Sequence, residues 1–593
     1  MGITCPSEFP SFVYRQDGCE LSYIVWAIIP RERPFVKNGR KRIFKIILME
    51  LIFSFISANM GLSFTTIEGI PMNHQTKSSK PGKYLKSPLP RRPGFLTVLL
   101  CLLLAAALLC FFAARWYVST YGDTGFDSIL YTLSSDLGGL QSGLIVSFCL
   151  KALLPAVLGW VALGALLFFP SPKLRLQVGA LRLYPLRRWA ARATALVLSL
   201  VLTLQAAVST GLPEYIYGIF NESELFETYY VDPGETDITF PEQKRNLIYI
   251  YLESMEITYL SKALGGASEE NLIPELYDLA RENVNFSHNA DVGGFLPVPG
   301  ATWTIGAMVA HTAGVPLKLP SDVAENEYGQ DDAGFLPGIV SLQDVLAEAG
   351  YYQTLMVGSV ASFGGRRQYY LQHGADYVYD ISTARRDDIV ADDYFVWWGM
   401  EDKYLMEYAK QELTEISQKD QPFAFTMLTV DTHHIGGYVC EYCREQHEEQ
   451  YANVMSCSSR QVADFVAWIR QQPFYENTTI IITGDHLSMD NGYFERTMDS
   501  SYTRRNYNCF INAAADTRYS KNRKFSALDM FPTTLAALGC QIPGERLGLG
   551  VNLFSGQPTL IEKLGYAKFD RQLTMASEYY AVNFRLEEPS QEE

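Results

Sequence analysis

Four residues scattered over more than two hundred positions could together form one reactive metal site. Glu253 follows an apolar run, and Thr304 opens a run of small residues. Asp485 and His486 are adjacent. Carboxylates, an imidazole and a hydroxyl can hold one divalent cation, and a hydroxyl on such a cation becomes a nucleophile. These residue types predict phosphoryl or sulfuryl transfer.

Each of these residues also has an ordinary structural interpretation. A lone Glu after a strand is typical of a helix cap, and an Asp-His pair is typical of a hydrogen-bonded turn. Thr304 precedes a small-residue helix, where Thr is a common N-terminal cap. A cap does not exclude catalysis, because a helix N-terminus also favours a bound phosphate. Thr302 competes with Thr304, since it stands two residues earlier in PGATWTIGAMVAHTAGVP.

Two further segments carry candidate substrate-binding side chains. His433 and His434 follow the strand-like run AFTMLTV. Either imidazole could give a proton to a leaving oxygen or bind a phosphate oxygen, and a structural histidine is the alternative, more so for His434. Arg366 and Arg367 in SFGGRRQYY could clamp an anionic head group. An ordinary surface arginine is the alternative for at least one of them.

An α/β framework is needed to bring these residues together. Beyond residue 212, short β-branched and aromatic runs at 246–252, 424–430 and 478–483 alternate with helical patterns at 342–349 and 460–471. This alternation predicts an α/β domain with a largely parallel sheet flanked by helices. Reactive residues then belong at the carboxyl ends of the strands. Glu253 and Asp485 stand at two such ends.

Three apolar segments before this domain are long enough to span a membrane, at 95–116, 144–169 and 190–212. Basic residues cluster before the first and between the second and third, whereas the loop 117–143 has no Lys or Arg. By the positive-inside rule, the two basic loops are cytoplasmic and everything after residue 212 is outside. A fourth apolar run, 43–64, would spoil this topology if it spanned, so we expect three spans.

The predicted organisation therefore has five parts. Residues 1–94 form a cytoplasmic or uncertain N-terminal region, of which residues 1–71 could be a non-native extension upstream of Met72. A transmembrane region with three helices follows at 95–212, and a connector at 213–245. The catalytic domain occupies 246–571, and a C-terminal tail occupies 572–593.

Net charge and cysteine content further restrict the classes of protein to which this chain can belong. The formal net charge of -16 argues against a nucleic-acid partner, which would require a basic face. Cys440 and Cys443 form one C-x-x-C motif, and Cys457 follows nearby. A zinc or redox motif would need more ligands or a preceding strand, so we expect a disulfide bond in an exported domain, Cys443 with Cys457. The odd number of cysteines beyond residue 212 leaves at least one free thiol.

Several motifs, in order, resemble one known family. NLIYIYLESME, GATWTIGAMVAHTAGVPL, TVDTHHIGG, ITGDHLSMDN and LDMFPTTLAALG resemble the lipoteichoic acid synthase and phosphoglycerol transferase I group of the sulfatase and alkaline phosphatase superfamily. The loop YGDTGFDSILYTLSSDLGG resembles the extracytoplasmic loop of that group, and the likeness covers roughly residues 117–554. It implies a sulfatase-like extracytoplasmic domain on a helical anchor in a bacterial cell membrane. Members of the group commonly have four or five spans, which differs from the three expected here.

The resemblance also implies roles for the candidate residues. The implied ligands of one divalent metal, Mn²⁺ ahead of Mg²⁺ or Zn²⁺, are Glu253, Thr304, Asp485 and His486. Thr304 is the implied nucleophile, preferred over Thr302 because its distance to the turn at 314–316 resembles that in sulfatases. His433 is the implied substrate-binding and proton-transferring histidine, and Arg366 the implied head-group arginine. No cysteine or serine stands at position 304, which disfavours a formylglycine sulfatase.

The implied reaction moves glycerol phosphate from phosphatidylglycerol to a cell-envelope hydroxyl, through a threonine-linked intermediate. A phosphoethanolamine transferase and a sulfatase-fold phosphodiesterase are the alternatives within the same chemistry. A non-catalytic sensor or binding ectodomain is a third alternative, which the intact candidate ligands disfavour. The scarcity of charged residues within the three spans disfavours a transporter.

Overall fold

The computed structural model describes residues 94–122, 126, 129–130, 142–168, 176–178, 181–183, 188–320, 328–329, 334–499 and 501–587. The expectations for residues 1–71 and for the apolar run at 43–64 fall outside the described residues. Most of the loop at 121–139 lies outside them as well.

The described residues include three helices that are long and apolar enough to cross a membrane. The first is α1 (Phe95–Tyr121); the second joins α2 (Ser142–Phe148), a π-helical segment (Cys149–Leu153) and α3 (Leu154–Phe168); the third is α4 (Arg188–Ser209). Only a few of their side chains are buried against one another, such as Leu104 and Leu108 of α1 against Ala156 of α3. Many of their leucines and valines are exposed. This pattern suits helices surrounded by lipid, and it confirms the predicted helical anchor.

The third of these helices ends earlier than the sequence pattern predicted. α4 stops at Ser209, and Gly211 adopts a left-handed conformation with φ 70° before α5 (Leu212–Ile219) begins. Pro213 lies at the start of α5, where its missing N–H costs nothing. The apolar run therefore contains a break, because glycine and proline together redirect the chain. Between α3 and α4, the described residues form a separate antiparallel pair, β1 (Leu176–Val178) and β2 (Leu181–Leu183).

After the short helix α6 (Leu225–Tyr229), the chain enters a six-stranded sheet. Its strands are β3 (Asn246–Leu252), β4 (Tyr352–Val357), β5 (Tyr377–Tyr379), β6 (Phe423–Leu428), β7 (Thr478–Gly484) and β8 (Asn508–Ile511). The spatial order is β5-β4-β6-β3-β7-β8, and all neighbours are parallel except β7 and β8. The predicted mostly parallel α/β domain is confirmed, with β3 at its centre.

The sequence of β3 is an unbroken apolar run because both faces of the sheet are buried. Tyr249 and Tyr251 point into the core on one side of the sheet, and Ile248 and Ile250 into the core on the other. Successive side chains of a strand alternate between faces, so both faces need apolar residues when both are covered. The aromatic and β-branched residues of NLIYIYL suit such a strand.

Helices cover the two faces of the sheet. Those after β3 are α7 (Pro274–Glu282), α8 (Thr304–Ala313), α9 (Leu342–Glu348), α10 (Arg366–Gln372), α11 (Ile381–Arg386), α12 (Asp402–Ile416), α13 (Gln450–Ile469), α14 (Asn491–Thr497) and α15 (Met530–Ala537). The antiparallel pair β9 (Arg546–Leu547) and β10 (Gly550–Val551) follows, then α16 (Leu560–Leu564), α17 (Tyr566–Thr574) and α18 (Glu578–Phe584). The region predicted as a tail thus contains α18, whose Tyr580 and Phe584 are buried in the core.

Cysteines in the described part of the chain form no disulfide bond. The predicted bond between Cys443 and Cys457 is therefore wrong. Both thiols instead lie close to a third, because the Cys440 sulfur is 3.7 Å from the sulfur of Cys443 and 3.7 Å from that of Cys457. Sequence spacing brought these residues into one neighbourhood, but it could not show that all three meet.

Candidate active site

Two neighbouring strands place two candidate carboxylates side by side. β3 and β7 run parallel, and the last residue of one, Leu252, pairs with the last residue of the other, Gly484. Glu253 and Asp485 each come one residue later, so both leave the sheet at the same edge. Together with His486 they form a buried group whose ligand atoms lie within 4.8 Å of one another.

Close packing of the chain holds this edge rigidly. A Cβ at Gly484 would lie 1.9 Å from the carbonyl oxygen of Met255, so only glycine fits there. Ser254 has a φ of 57°, an unfavourable left-handed conformation for a residue with a side chain. Its backbone N–H donates to Asp485 Oδ1 at 2.9 Å, and its hydroxyl donates to Glu253 Oε1 at 2.7 Å. The strained residue thereby orients both carboxylates.

The imidazole of His486 presents one nitrogen to the other candidate ligands. Its Nδ1 lies 2.9 Å from the carbonyl oxygen of Leu487, which can only accept, so Nδ1 carries the proton. Nε2 is then left with its lone pair for a metal, provided the ring is neutral. Glu253 Oε1 lies 3.6 Å, and Asp485 Oδ2 3.4 Å, from Nε2. The Thr304 hydroxyl oxygen lies 3.4 Å from the same nitrogen.

Thr304 reaches this group from the first turn of α8. The helix begins at Thr304, with Trp303 in the N-cap position, and no cap side chain hydrogen-bonds to the helix. The Thr304 hydroxyl is therefore directed to His486 and not used as a cap. Thr302 makes no such contact in the described structure. Thr304 also lies where the free N–H groups of a helix end favour an anion.

The buried carboxylates of this group favour the binding of a cation. Glu253, Asp485 and His486 are all buried. Burial and the charge of Glu253 raise the pKa of Asp485 to about 7. Burial also disfavours the charged form of Glu253, yet the charges that His433 and His486 carry when protonated and the hydrogen bond from Ser254 outweigh it and lower the Glu253 pKa. Two buried carboxylates in contact are costly without a counter-charge.

The donor atoms fit one divalent ion. The donor oxygens of Thr304, Glu253 and Asp485 lie 3.4–3.6 Å from His486 Nε2, a separation suited to ligands of one small divalent cation. Asp485 Oδ2 is buried and has no hydrogen-bond partner among the described residues. Glu253, Asp485, His486 and the Thr304 hydroxyl are therefore able to hold a metal ion.

His433 lies beside this metal-binding group, on the segment that follows β6. Its Nδ1 donates to the carbonyl oxygen of His434 at 2.8 Å, which fixes the tautomer with a free Nε2. The Trp398 ring packs on it with centroids 4.5 Å apart, and the His434 ring stacks at 4.3 Å. Burial lowers the pKa of His433, and the field of Glu253 opposes this. A neutral imidazole with a free lone pair can accept a proton.

The two adjacent arginines have different environments. Arg366 is buried and donates from its guanidinium to the carbonyl oxygens of Phe363 and Val360, each at 2.9 Å. Its charge contributes to lowering the pKa of His433, so it belongs to the same neighbourhood. Arg367 instead forms an ion pair with Asp380 at 2.8 Å. The arginine that the resemblance selected, Arg366, is thus the one near the candidate site.

A sulfatase family model matches residues 245–540, which include every candidate site residue. These residues are similar to the sulfatase family. Phosphoglycerol transferase I of Salmonella choleraesuis is 30% identical over 458 residues, which are 74% of this chain and 54% of that protein. Phosphoglycerol transferase I of Escherichia fergusonii is 29% identical over 452 residues, again 74% of this chain and 54% of that protein. The chain spans about half the length of these curated relatives.

Among solved structures, this chain is similar to the lipoteichoic acid synthase LtaP of Listeria monocytogenes. The two are 17% identical with a TM-score of 0.42, over 54% of this chain and 79% of that chain.

Several residues that support the candidate site were not found from the sequence. Ser254 follows Glu253 directly, but only its backbone conformation reveals its role. Trp398 lies in the unusual pair WW, a signal that could have been noticed. The buried Glu256 forms an ion pair with the half-buried Arg504, and Glu256 also accepts from the backbone N–H of Ser488 at 2.8 Å. These two residues are 248 positions apart, so no spacing rule pairs them.

Proposed function

We propose that this chain is a metal-dependent phosphoglycerol transferase of a bacterial cell membrane. It moves glycerol phosphate from phosphatidylglycerol to a hydroxyl group of a cell-envelope acceptor. The observation that carries the proposal is the Thr304 hydroxyl, which lies 3.4 Å from His486 Nε2 beside two buried carboxylates. The relatives named phosphoglycerol transferase I support the choice of donor.

The oxygen-rich ligand set supports Mn²⁺ as the metal, with Mg²⁺ or Zn²⁺ as alternatives. When bound, the metal lowers the pKa of the threonine hydroxyl and neutralises charge on the phosphoryl oxygens. Glu253, Asp485 and His486 would hold it, together with Thr304.

In the first step, the Thr304 oxygen attacks the phosphorus of phosphatidylglycerol. A bond forms between phosphorus and the Thr304 oxygen, and the bond between phosphorus and the diacylglycerol oxygen breaks. The proton that leaves Thr304 has to reach the departing diacylglycerol oxygen, and we propose His433, which interacts electrostatically with Glu253, as its relay. Arg366 binds the anionic head group, and the N-terminus of α8 stabilises the phosphate on Thr304.

In the second step, an acceptor hydroxyl attacks the same phosphorus and releases Thr304. The free Nε2 of His433 takes the proton of the acceptor hydroxyl and returns it to the Thr304 oxygen. The Nδ1 bond to the His434 carbonyl keeps the ring in the tautomer that this requires. The enzyme is then restored, and the glycerol phosphate group has moved to the acceptor.

Membrane attachment fits a lipid donor, with the catalytic domain on the extracytoplasmic side. The end of α1 lies near the candidate site, because Asn491 donates to the carbonyl oxygen of Val118 at 3.2 Å. The ring of Tyr121, the last residue of α1, lies 5.8 Å from the His434 ring. A domain held at the membrane surface meets its lipid donor at a raised effective concentration.

The first prediction concerns the nucleophile. With fluorescent phosphatidylglycerol and Mn²⁺, Thr304→Ala should release diacylglycerol at least about 100-fold more slowly than wild type, because the covalent step is lost. Thr302→Ala is the matched control and should retain most of the activity. Equal release by Thr304→Ala and wild type would mean that Thr304 is not the nucleophile.

The same assay decides between lipid donors. A phosphoglycerol transferase releases diacylglycerol from phosphatidylglycerol, whereas a phosphoethanolamine transferase releases it from phosphatidylethanolamine. Release from phosphatidylethanolamine alone would replace the proposed donor while leaving the role of Thr304 intact. Product analysis with a glycolipid, a glycerol-phosphate polymer and a glucan then identifies the acceptor.

A further inference from the structure

Three cysteines meet outside the candidate active site. Cys440 and Cys443 lie on the segment between β6 and α13, and Cys457 lies on α13. Their sulfurs all lie within 4.8 Å of one another, and Cys440 and Cys457 are buried. None of the three contributes to the metal-binding group formed by Glu253, Asp485 and His486. The proposed phosphoryl transfer therefore leaves this thiol group unexplained.

The spacing of the sulfurs distinguishes two chemistries. The Cys440 sulfur lies 3.7 Å from both other sulfurs. A disulfide bond would place one pair about 2.05 Å apart and leave the third cysteine out. Zinc–sulfur bonds of about 2.3 Å in a tetrahedral site place neighbouring sulfurs about 3.8 Å apart. The observed spacing matches the edge of a metal–thiolate site.

The surroundings of the cluster favour thiolates held by a cation. The backbone N–H groups of Tyr442 and Cys443 are hydrogen-bonded to the Cys440 sulfur. The side-chain amide of Gln461 lies 3.5 Å from the Cys457 sulfur and 3.9 Å from the Cys440 sulfur, and it donates to both. Such N–H donors around the sulfurs are typical of the second shell of a metal site.

Two buried acidic side chains lie near Cys440. The carboxyls of Asp402 and Asp431 are buried, and both interact electrostatically with Cys440. Both carboxyl oxygens of Asp431 lack a hydrogen-bond partner among the described residues. Several thiolates beside these groups would repel one another unless a cation lay between them.

We propose that Cys440, Cys443 and Cys457 bind a thiophilic divalent cation of the Zn²⁺ type, at a second metal site with no ligand in common with the candidate active site. Three thiolates leave one position of a tetrahedral ion for a water molecule. Each thiol releases its proton to solvent when the cation binds, and no oxidant is required.

This second site fastens the segment that carries His433 to α13. The same segment is already attached at its other end, where the Tyr451 hydroxyl of α13 donates to the carbonyl oxygen of Thr432 at 2.8 Å. Tyr438 closes the intervening turn by donating its N–H to the carbonyl oxygen of Asp431 at 2.7 Å. A cation on the cysteines adds a further attachment to α13 and limits the movement of His433. Its role is structural, because the thiolates do not contact the candidate metal ligands.

Cobalt titration tests the site directly. The full chain, reduced and freed of metal in detergent, is titrated with Co²⁺ alone. We expect the sulfur-to-cobalt charge-transfer absorption of a thiolate site, absent from Cys440→Ser and retained in Asp485→Asn. Zinc content by mass spectrometry should fall by one equivalent in Cys440→Ser. Cys509→Ser is the matched control, because Cys509 is a buried cysteine whose sulfur contacts the Leu279 carbonyl at 3.4 Å.

Two results would overturn the proposal. The first is a reduced wild-type chain that folds but gives no charge-transfer absorption with Co²⁺. The second is a chain prepared with Zn²⁺ and without reductant whose peptide map shows a disulfide among the three cysteines in place of bound metal. Both measurements use wild-type protein, so they stand even if Cys440→Ser fails to fold.

Discussion

At the scale of single residues, the candidate site is supported by an ion pair between the buried Glu256 and the half-buried Arg504. Glu256 is buried three residues after Glu253 and accepts from the Arg504 guanidinium and from the Thr258 hydroxyl at 2.5 Å. It also accepts from the backbone N–H of Ser488, two residues after His486. One carboxylate thus ties together the segments that carry the ligands from β3 and β7.

Removing the cation of this pair should destabilise the whole domain. Arg504→Met leaves the Glu256 charge buried without its partner, so we expect the free energy of unfolding to fall by about 3–5 kcal/mol. Chemical denaturation of the chain in detergent measures the loss. The double variant Glu256→Gln with Arg504→Met removes both charges and should recover part of it. A single variant as stable as wild type would show that water replaces the arginine.

At the scale of elements, α8 and α18 meet around one lysine with an unusual environment. Lys318 follows the turn after α8 and donates from Nζ to the carbonyl oxygen of Met575 at 2.6 Å. The ammonium also lies over the rings of Phe226 and Tyr580, at 5.7 and 5.8 Å. Burial, followed by the charge of Arg585, lowers the pKa of Lys318 to about 7.

This lysine should make the stability of the domain depend on pH. The folded chain releases the Lys318 proton near pH 7, whereas an unfolded chain keeps it up to about pH 10.4. The unfolded state binds more protons between these values, so stability rises with pH across that window. Between pH 7 and 9, the melting temperature of wild type should therefore rise relative to that of Lys318→Met. Parallel melting curves for the two proteins would exclude this lysine as the source.

The elements also show what a sequence can and cannot predict. Glu253 and Asp485 could be placed together because parallel strands end at one edge, and that rule needs only the two apolar runs. The start of α13 at Gln450 was missed, because Glu449 at its N-cap makes no side-chain cap bond. The sequence predicts a disulfide bond within the three-cysteine group, and this prediction is wrong. Sequence spacing does not show the turn that brings the Cys440 sulfur close to both other sulfurs.

At the scale of the whole molecule, the helical anchor and the catalytic domain share a boundary near the candidate site. The last turn of α1 provides a carbonyl for Asn491 at the start of α14, and the Tyr121 ring lies beside His434. Under the proposed function the anchor has two possible effects: it holds the domain near the proposed lipid donor, or it shapes the site by contact. These two effects predict different behaviour towards soluble and membrane-bound substrates.

Removal of the anchor separates tethering from contact. A chain shortened to residues 213–593 should lose activity on phosphatidylglycerol in vesicles by about 100-fold, because the raised local concentration is lost. It should keep most of its activity on a short-chain phosphatidylglycerol dissolved as monomers, since the residues of the site remain. Full-length Asn491→Ala loses the contact with Val118 but keeps the anchor, so it should retain vesicle activity. If the shortened chain loses both activities equally while Asn491→Ala loses them as well, then α1 acts by shaping the segment that carries His434, and tethering is secondary.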